Sequence, residues 1–193
     1  LEMTPAAICE SGMTFGPYPE GQCFYIEKSA AYRKIQGHGV KMAEFMLIHP
    51  SKVAPPTVWI VEAKQTVPRA LDAEVEAIRA KLTNAFLLGM AMCLQRHPQA
   101  DADLPALFRQ LNHSETGFRF VWVIKGVPDD HLPVLQDALT KAMRPVVKTW
   151  ALPSISVAVL NEAGAAEHGL IVSAPAPAAF LQSPHDLTFP RRP

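Results

Sequence analysis

Hydrophobic residues fall into runs whose lengths and periods predict strands that alternate with helices. Four nearly continuous apolar runs predict strands at 40–48, 57–65, 118–124 and 155–160. Apolar residues at three- and four-residue steps, bounded by turn residues, predict helices at 29–36, 69–97, 131–148 and 162–168. Pro145 is expected to stop or kink the third of these. This order predicts an α/β fold, in which helices flank a central mixed β-sheet.

The chain is predicted to contain one domain with a segment on either side. Residues 1–21 are rich in Gly and Pro and are expected to be irregular, and 22–172 form a single α/β domain. Residues 173–193 are rich in Pro and Ala and have no core pattern, so they are expected to be a mobile extension or an arm laid on a partner.

Composition and termini favour a cytoplasmic protein. No basic region followed by an apolar run begins the chain, and the longest apolar stretch, 85–94, is too short to span a bilayer. The three cysteines are odd in number and widely spaced, which indicates free thiols in a reducing compartment.

Net charge is zero, with 18 basic and 18 acidic side chains, but the distribution is uneven. The segment from Lys28 to Arg69 contains seven basic residues but only two acidic ones, Glu44 and Glu62. A local positive excess around two carboxylates suits a nucleic-acid backbone held near a divalent cation. The candidate nucleic-acid-binding residues are Lys28, Arg33, Lys34 and Lys41. The alternative is an ordinary solvated surface.

Several enzyme classes lack a motif in this chain. The sequence contains no His-x-x-x-His, Cys-x-x-Cys or Gly-x-Ser-x-Gly, so zinc enzymes and serine hydrolases have no support. No glycine-rich phosphate loop follows a predicted strand, which argues against a nucleotide-triphosphate motor.

Two predicted strands carry carboxylates on otherwise apolar faces. Side chains alternate along a strand, so Glu62 and Lys64 share a face, and Glu44 shares the apolar face of 40–48. A carboxylate on an apolar face is costly unless it is paired or binds a cation. Two carboxylates and a lysine form a minimal site for metal-assisted hydrolysis: Mg²⁺ prefers one or two carboxylates, and an adjacent lysine stabilises developing charge.

Glu44, followed by Glu62-Ala63-Lys64 on the next strand, resembles the PD-(D/E)xK nuclease superfamily, the restriction-endonuclease-like fold. The 17 residues between Glu44 and Glu62 are a spacing usual in that superfamily. Residues 24–172 are also similar to a group of bacterial proteins of unassigned role within it. The chain departs from the pattern at its first acidic position, which is usually Asp after Pro and here is Glu44 after Ala43.

The resemblance implies a Mg²⁺- or Mn²⁺-dependent nuclease of a bacterial cell that acts on DNA more readily than on RNA. It implies that Glu44 and Glu62 bind metal and that Lys64 assists catalysis. Glu27 would be an auxiliary acidic residue, and Gln65 would contact metal-bound water or substrate. A homodimer that uses the apolar half of helix 69–97 is a further expectation.

A non-catalytic alternative stays open at this point. Glu62 and Lys64 could form a partly buried ion pair, with Glu44 neutralised by Lys41 or Arg33. The chain would then be an interaction or regulatory protein that retains a nuclease-like fold. Zero net charge and the Pro-rich tail favour this alternative.

Overall fold

A five-stranded sheet forms the centre of the molecule in the computed structural model, which describes residues 7–49, 55–66, 70–98 and 100–171. In spatial order its strands are β3 (Cys23–Phe24), β4 (Phe45–His49), β5 (Thr57–Lys64), β6 (Gly117–Ile124) and β7 (Val157–Leu160). The first three are antiparallel, whereas β5, β6 and β7 are parallel. The prediction of a mixed sheet flanked by helices is therefore confirmed.

Two long helices cover one face of this sheet. They are α2 (Leu71–Cys93) and α5 (Leu132–Thr149), and both follow a strand that pairs in parallel with the next one. Ile78, Leu82 and Phe86 of α2 pack with Ile60 and Trp122 of the sheet in the larger core cluster. The shorter helices are α1 (Ala30–Ile35), α3 (Ala100–Asp103), α4 (Ala106–Arg109) and α6 (Glu162–Glu167).

An N-terminal hairpin covers the opposite face. Its strands are β1 (Ile8–Glu10) and β2 (Met13–Phe15), and Phe15 packs in a second core cluster with Phe45 and Val61. Residues 1–21, expected to be irregular, thus contain a hairpin. Its turn uses Ser11 and Gly12, both with positive φ, so the glycine that suggested irregular chain instead closes two short strands.

Several predicted boundaries were wrong: the helix predicted at 69–97 ends at Cys93, and the strand predicted at 155–160 begins at Val157. The strand predicted at 40–48 begins only at Phe45, because the carbonyls of Val40 and Lys41 accept side-chain donors, Tyr32 Oη and Asn84 Nδ2, outside the sheet. The stop expected at Pro145 does not occur, because α5 runs to Thr149, close to the predicted end at 148. Buried residues at four-residue steps, Leu135, Leu139, Met143 and Val147, hold the helix on the core past the proline. The predicted tail, 173–193, lies outside the described residues.

Candidate functional site

Strand β5 delivers Glu62 and Lys64 to the face covered by α2. Val58 and Ile60 occupy the same face and are buried in the core with α2. The period of two therefore aims the Glu62 carboxylate into the layer between sheet and helix, where it has no solvent exposure. Lys64, at the last position of β5, is only half-buried.

The partner of Glu62 is Lys81, one turn beyond Ile78 on α2. Lys81 Nζ lies 2.7 Å from Glu62 Oε1, and Glu62 Oε2 has no hydrogen-bond partner among the described residues. Burial raises the pKa of Glu62 to about 7, although Lys81 lowers it. A carboxylate with one free, buried oxygen retains the capacity to accept a further donor or a cation.

Lys64 has a different carboxylate as its neighbour. Its Nζ lies 3.1 Å from Oε1 of Glu74, in the first turn of α2, and both side chains are about one-third exposed at 34% and 30%. The non-catalytic alternative predicted an ion pair between Glu62 and Lys64. The structure instead has two pairs, Glu62 with Lys81 and Lys64 with Glu74, and each connects β5 to α2. Lys64 remains the more accessible lysine of the two.

Three other glutamates converge beside Glu62. Single carboxylate oxygens of Glu10, Glu27 and Glu44 all lie within 4.8 Å of one another. The Glu44 backbone N–H donates to Val61 O of β5 at 3.0 Å, and the Glu27 N–H donates to Glu44 O at 3.3 Å. These two hydrogen bonds connect the residue before β4 to β5 on one side and to the turn before α1 on the other.

The N-terminal hairpin brings Glu10 into this group. Ser11 Oγ donates to Ala63 O at 2.9 Å, and Lys125 Nζ donates to Gly12 O at 2.7 Å. The hairpin turn is therefore tied to the carboxyl ends of β5 and β6. Ends of neighbouring parallel strands are where α/β folds place their ligands.

The electrostatics of this group favour a bound cation. The pKa of Glu44 is raised to about 9, first by burial and then by the charge of Glu62, a side-chain hydrogen bond with Glu27 and the charges of Glu27 and Glu10. Glu44 is 6% exposed, and its Oε2 has no hydrogen-bond partner in the described part of the chain. Lys28 Nζ is 3.9 Å from Glu10 and 4.0 Å from Glu27, but its side chain is largely in solvent.

The residues present fit a hard divalent cation. The donors are all carboxylate oxygens, which suit Mg²⁺, Mn²⁺ or Ca²⁺ rather than the softer transition metals. Partly exposed Glu10 and Glu27 leave room for water on the solvent side of buried Glu44. A cation here would relieve the repulsion that raises the Glu44 pKa.

The remaining predicted residues lie around this centre. Gln65 is exposed just after β5, near the hairpin turn. Lys28, Arg33, Lys34 and Lys41 are all exposed on the segment that runs from Glu27 through α1 to Glu44. Arg33 Nη2 donates to Lys28 O at 2.9 Å, a local bond that ties α1 to the turn before it.

Sequence reasoning missed Glu10, Lys81 and Glu74. A signal existed on α2, where Glu74 and Lys81 keep the spacing of buried Ile78, Leu82 and Ala85 and thus fall on the inward stripe. For Glu10 no comparable signal existed, because its approach depends on how the hairpin docks.

Comparisons with protein-family models, with curated proteins and with solved structures gave no match. The superfamily resemblance therefore stays a prediction. No helix in the described ranges is long and apolar enough to cross a membrane.

Proposed function

We propose that this protein is a metal-dependent nuclease that hydrolyses phosphodiester bonds, in DNA more readily than in RNA. The observation that carries the proposal is the convergence of Glu10, Glu27 and Glu44 next to buried Glu62, with carboxylate oxygens of Glu44 and Glu62 that lack partners among the described residues. Partnerless carboxylate oxygens in a cluster of like charges are unfavourable unless a proton or cation is present.

In this proposal Glu44, Glu27 and Glu10 hold the cation, and Glu62 orients a water bound near it. A bound Mg²⁺ or Mn²⁺ would polarise the phosphate and lower the pKa of the attacking water. Lys64, at the exposed edge of the site, contacts the phosphate oxygens and stabilises the charge that grows as water attacks phosphorus and the phosphorus–oxygen ester bond breaks. Glu74 holds the Lys64 ammonium in position.

Lys81 serves as an internal counter-charge in this scheme. It is less exposed than Lys64, 19% against 34%, and favours the ionised form of Glu62 by opposing the rise in pKa that burial causes. The exposed row of Lys28, Arg33, Lys34 and Lys41 supplies backbone contacts for the nucleic acid. The proposal also includes a cytoplasmic setting and a homodimer. The dimer would form through the apolar half of α2, where Leu87 is exposed, together with exposed Leu94 just after the helix.

One observation favours a second candidate function. Both lysines are already paired with carboxylates, as expected of a non-catalytic interaction protein in which the site has become structural. A direct assay of nucleic-acid cleavage distinguishes the two functions.

The assay incubates labelled single- and double-stranded DNA and RNA with the protein and Mg²⁺, Mn²⁺ or EDTA. We expect metal-dependent cleavage by the wild type, and losses of about a hundredfold or more in Glu44→Gln and Lys64→Met. Glu20→Gln, at an exposed position outside the site, is the matched control and should cleave normally. A folded wild type that cuts none of the substrates with either metal overturns the nuclease proposal in favour of the interaction protein.

A further inference from the structure

A second polar cluster lies at the opposite end of β5 and on its opposite face. Trp59 and Arg119 are neighbours in the parallel register of β5 and β6, and the guanidinium carbon lies 4.8 Å from the Trp59 ring centroid. The His49 ring stacks on the same indole at 4.3 Å between centroids. His168 meets Trp59 edge-on at 5.5 Å, and its carbonyl lies 3.0 Å from His49 Nε2.

These side chains line a cavity of about 400 Å³. Thr57 and Ser156 add hydroxyl groups to the lining, while Phe118, Pro153 and Ile155 make part of it apolar. None of the described residues that line the cavity is acidic. Its size falls within the range of pockets that bind small organic ligands, about 300–1,000 Å³.

Arg119 is a partly buried cation that has no anionic partner in the described part of the chain. Its Nε is buried without a hydrogen-bond partner, and no carboxylate among the described residues lies within 4.0 Å of the guanidinium. Burial lowers the pKa of Arg119, and burial together with the Arg119 charge lowers the pKa of His168. Removing a cation from water without pairing it is unfavourable, so this arrangement favours the binding of an anion.

We propose that this cavity binds a small phosphate monoester, with Arg119 and His168 on the phosphate and the apolar wall on the organic group. His49 Nε2 donates to the His168 carbonyl and holds that residue at the cavity. The remaining donors point to phosphate, since a guanidinium fork, an imidazole and two hydroxyls match its three terminal oxygens better than the two oxygens of a carboxylate. The apolar residues Phe118, Pro153 and Ile155 provide contacts that a bare inorganic ion would leave unused.

This site is separate from the carboxylate centre and does not rest on the nuclease proposal. Thr57 and Lys64 are the two ends of β5, which places them about 23 Å apart in an extended strand. The Trp59 side chain points to the face opposite Glu62. A ligand in the cavity therefore cannot touch the carboxylates.

The test is calorimetric titration of the full chain, in EDTA, with AMP, inorganic phosphate and adenosine. We expect AMP to bind more tightly than phosphate and adenosine to bind at least tenfold more weakly than AMP. Arg119→Met should weaken AMP binding about tenfold or more, the loss expected for a charge-assisted hydrogen bond. Arg96→Met, at an exposed arginine, and Glu44→Gln should bind AMP as the wild type does.

Two further variants test the cavity if Arg119→Met does not fold. His168→Gln alters an exposed side chain, and Arg119→Lys keeps the charge without the guanidinium fork; both should weaken AMP binding. A 5′-phosphorylated dinucleotide that binds tighter than AMP would identify a nucleic-acid end as the source of the phosphate, and equal or weaker binding would identify a free small molecule. Absence of both AMP and phosphate binding in the wild type, or unchanged binding in the folded Arg119 and His168 variants, overturns the site.

Discussion

Lys81 of α2 donates a 2.7 Å hydrogen bond to Oε1 of Glu62, a side chain of β5 with no solvent exposure. This pair joins the central sheet to its main covering helix through charges rather than through apolar packing alone. Because the ammonium is itself mostly buried, removal of either partner leaves an uncompensated charge in the core.

We expect Lys81→Met to lower the free energy of unfolding by about 3–5 kcal/mol at pH 8.5, the usual result of breaking a buried ion pair. The loss should be smaller at pH 5.5, because the pKa of Glu62, already about 7, rises further without Lys81 and the carboxyl takes up a proton. Urea titrations at the two pH values measure both effects.

Lys64→Met is the matched control for that experiment. Lys64 pairs with Glu74 at the partly exposed edge of the same strand and helix, so its loss should cost at most about 1 kcal/mol. Equal destabilisation by the two substitutions would contradict the assignment of Lys81 as the buried counter-charge.

A divalent cation should stabilise the folded chain. At a Mg²⁺ or Mn²⁺ concentration a hundred times the dissociation constant, the gain is about 2.7 kcal/mol, or a rise in Tm of about 5–10 °C for a chain of this length. Glu44→Gln should abolish the rise, because Glu44 is the buried member of the carboxylate group. Calorimetric melts of the wild type and Glu44→Gln, with and without metal, measure the rise in Tm, and Glu20→Gln is the control. An undiminished rise in Glu44→Gln would place metal binding elsewhere.

Without divalent metal, stability should fall as pH rises from about 5 to 9. The pKa of Glu44 is about 9 in the folded chain and near 4.5 when unfolded, so the native state binds more protons in this interval. The stabilising contribution is full below the unfolded pKa and is lost as pH rises through the folded one. One such group gives a slope of at most about 1.4 kcal/mol per pH unit.

Glu44→Gln should flatten this pH dependence, particularly above pH 7, where Glu62 is largely ionised. Saturating Mg²⁺ should flatten it as well, because the cation takes the place of the proton. Denaturant titrations across the range measure the slope, and a Glu44→Gln curve that parallels the wild type would refute the coupling.

The hairpin turn should control metal affinity without controlling the fold. Ser11→Ala removes the 2.9 Å hydrogen bond to Ala63 O that holds Glu10 near the other carboxylates. A lost hydrogen bond of about 1 kcal/mol should weaken metal binding by up to about fivefold, while the Tm in EDTA falls by only about 2–4 °C. Thr14→Ala, at an exposed position of the same hairpin, is the control. Equal metal affinity in both variants would show that the hairpin does not position Glu10.

Local periodicity determined the placement of Glu62 and the outline of the sheet. Alternation along 57–64 is enough to put Glu62 on the face of Val58 and Ile60, and the α2 stripe is enough to put Ile78 and Leu82 in the core. These features depend on residues only a few positions apart, so the spacing of apolar residues along the sequence is enough to predict them. By contrast, the start of β4 at Phe45 depends on donors from α1 and α2.

Only the tertiary structure decided which charges meet. Glu10 reaches Glu44 because a hairpin docks on the end of β5, and Lys81 rather than Lys64 neutralises Glu62 because α2 packs with that turn inward. In the same way, Arg119 acquires its aromatic neighbours across two parallel strands. Such pairings depend on segments far apart in sequence, and their energies arise only when burial removes the charges from water.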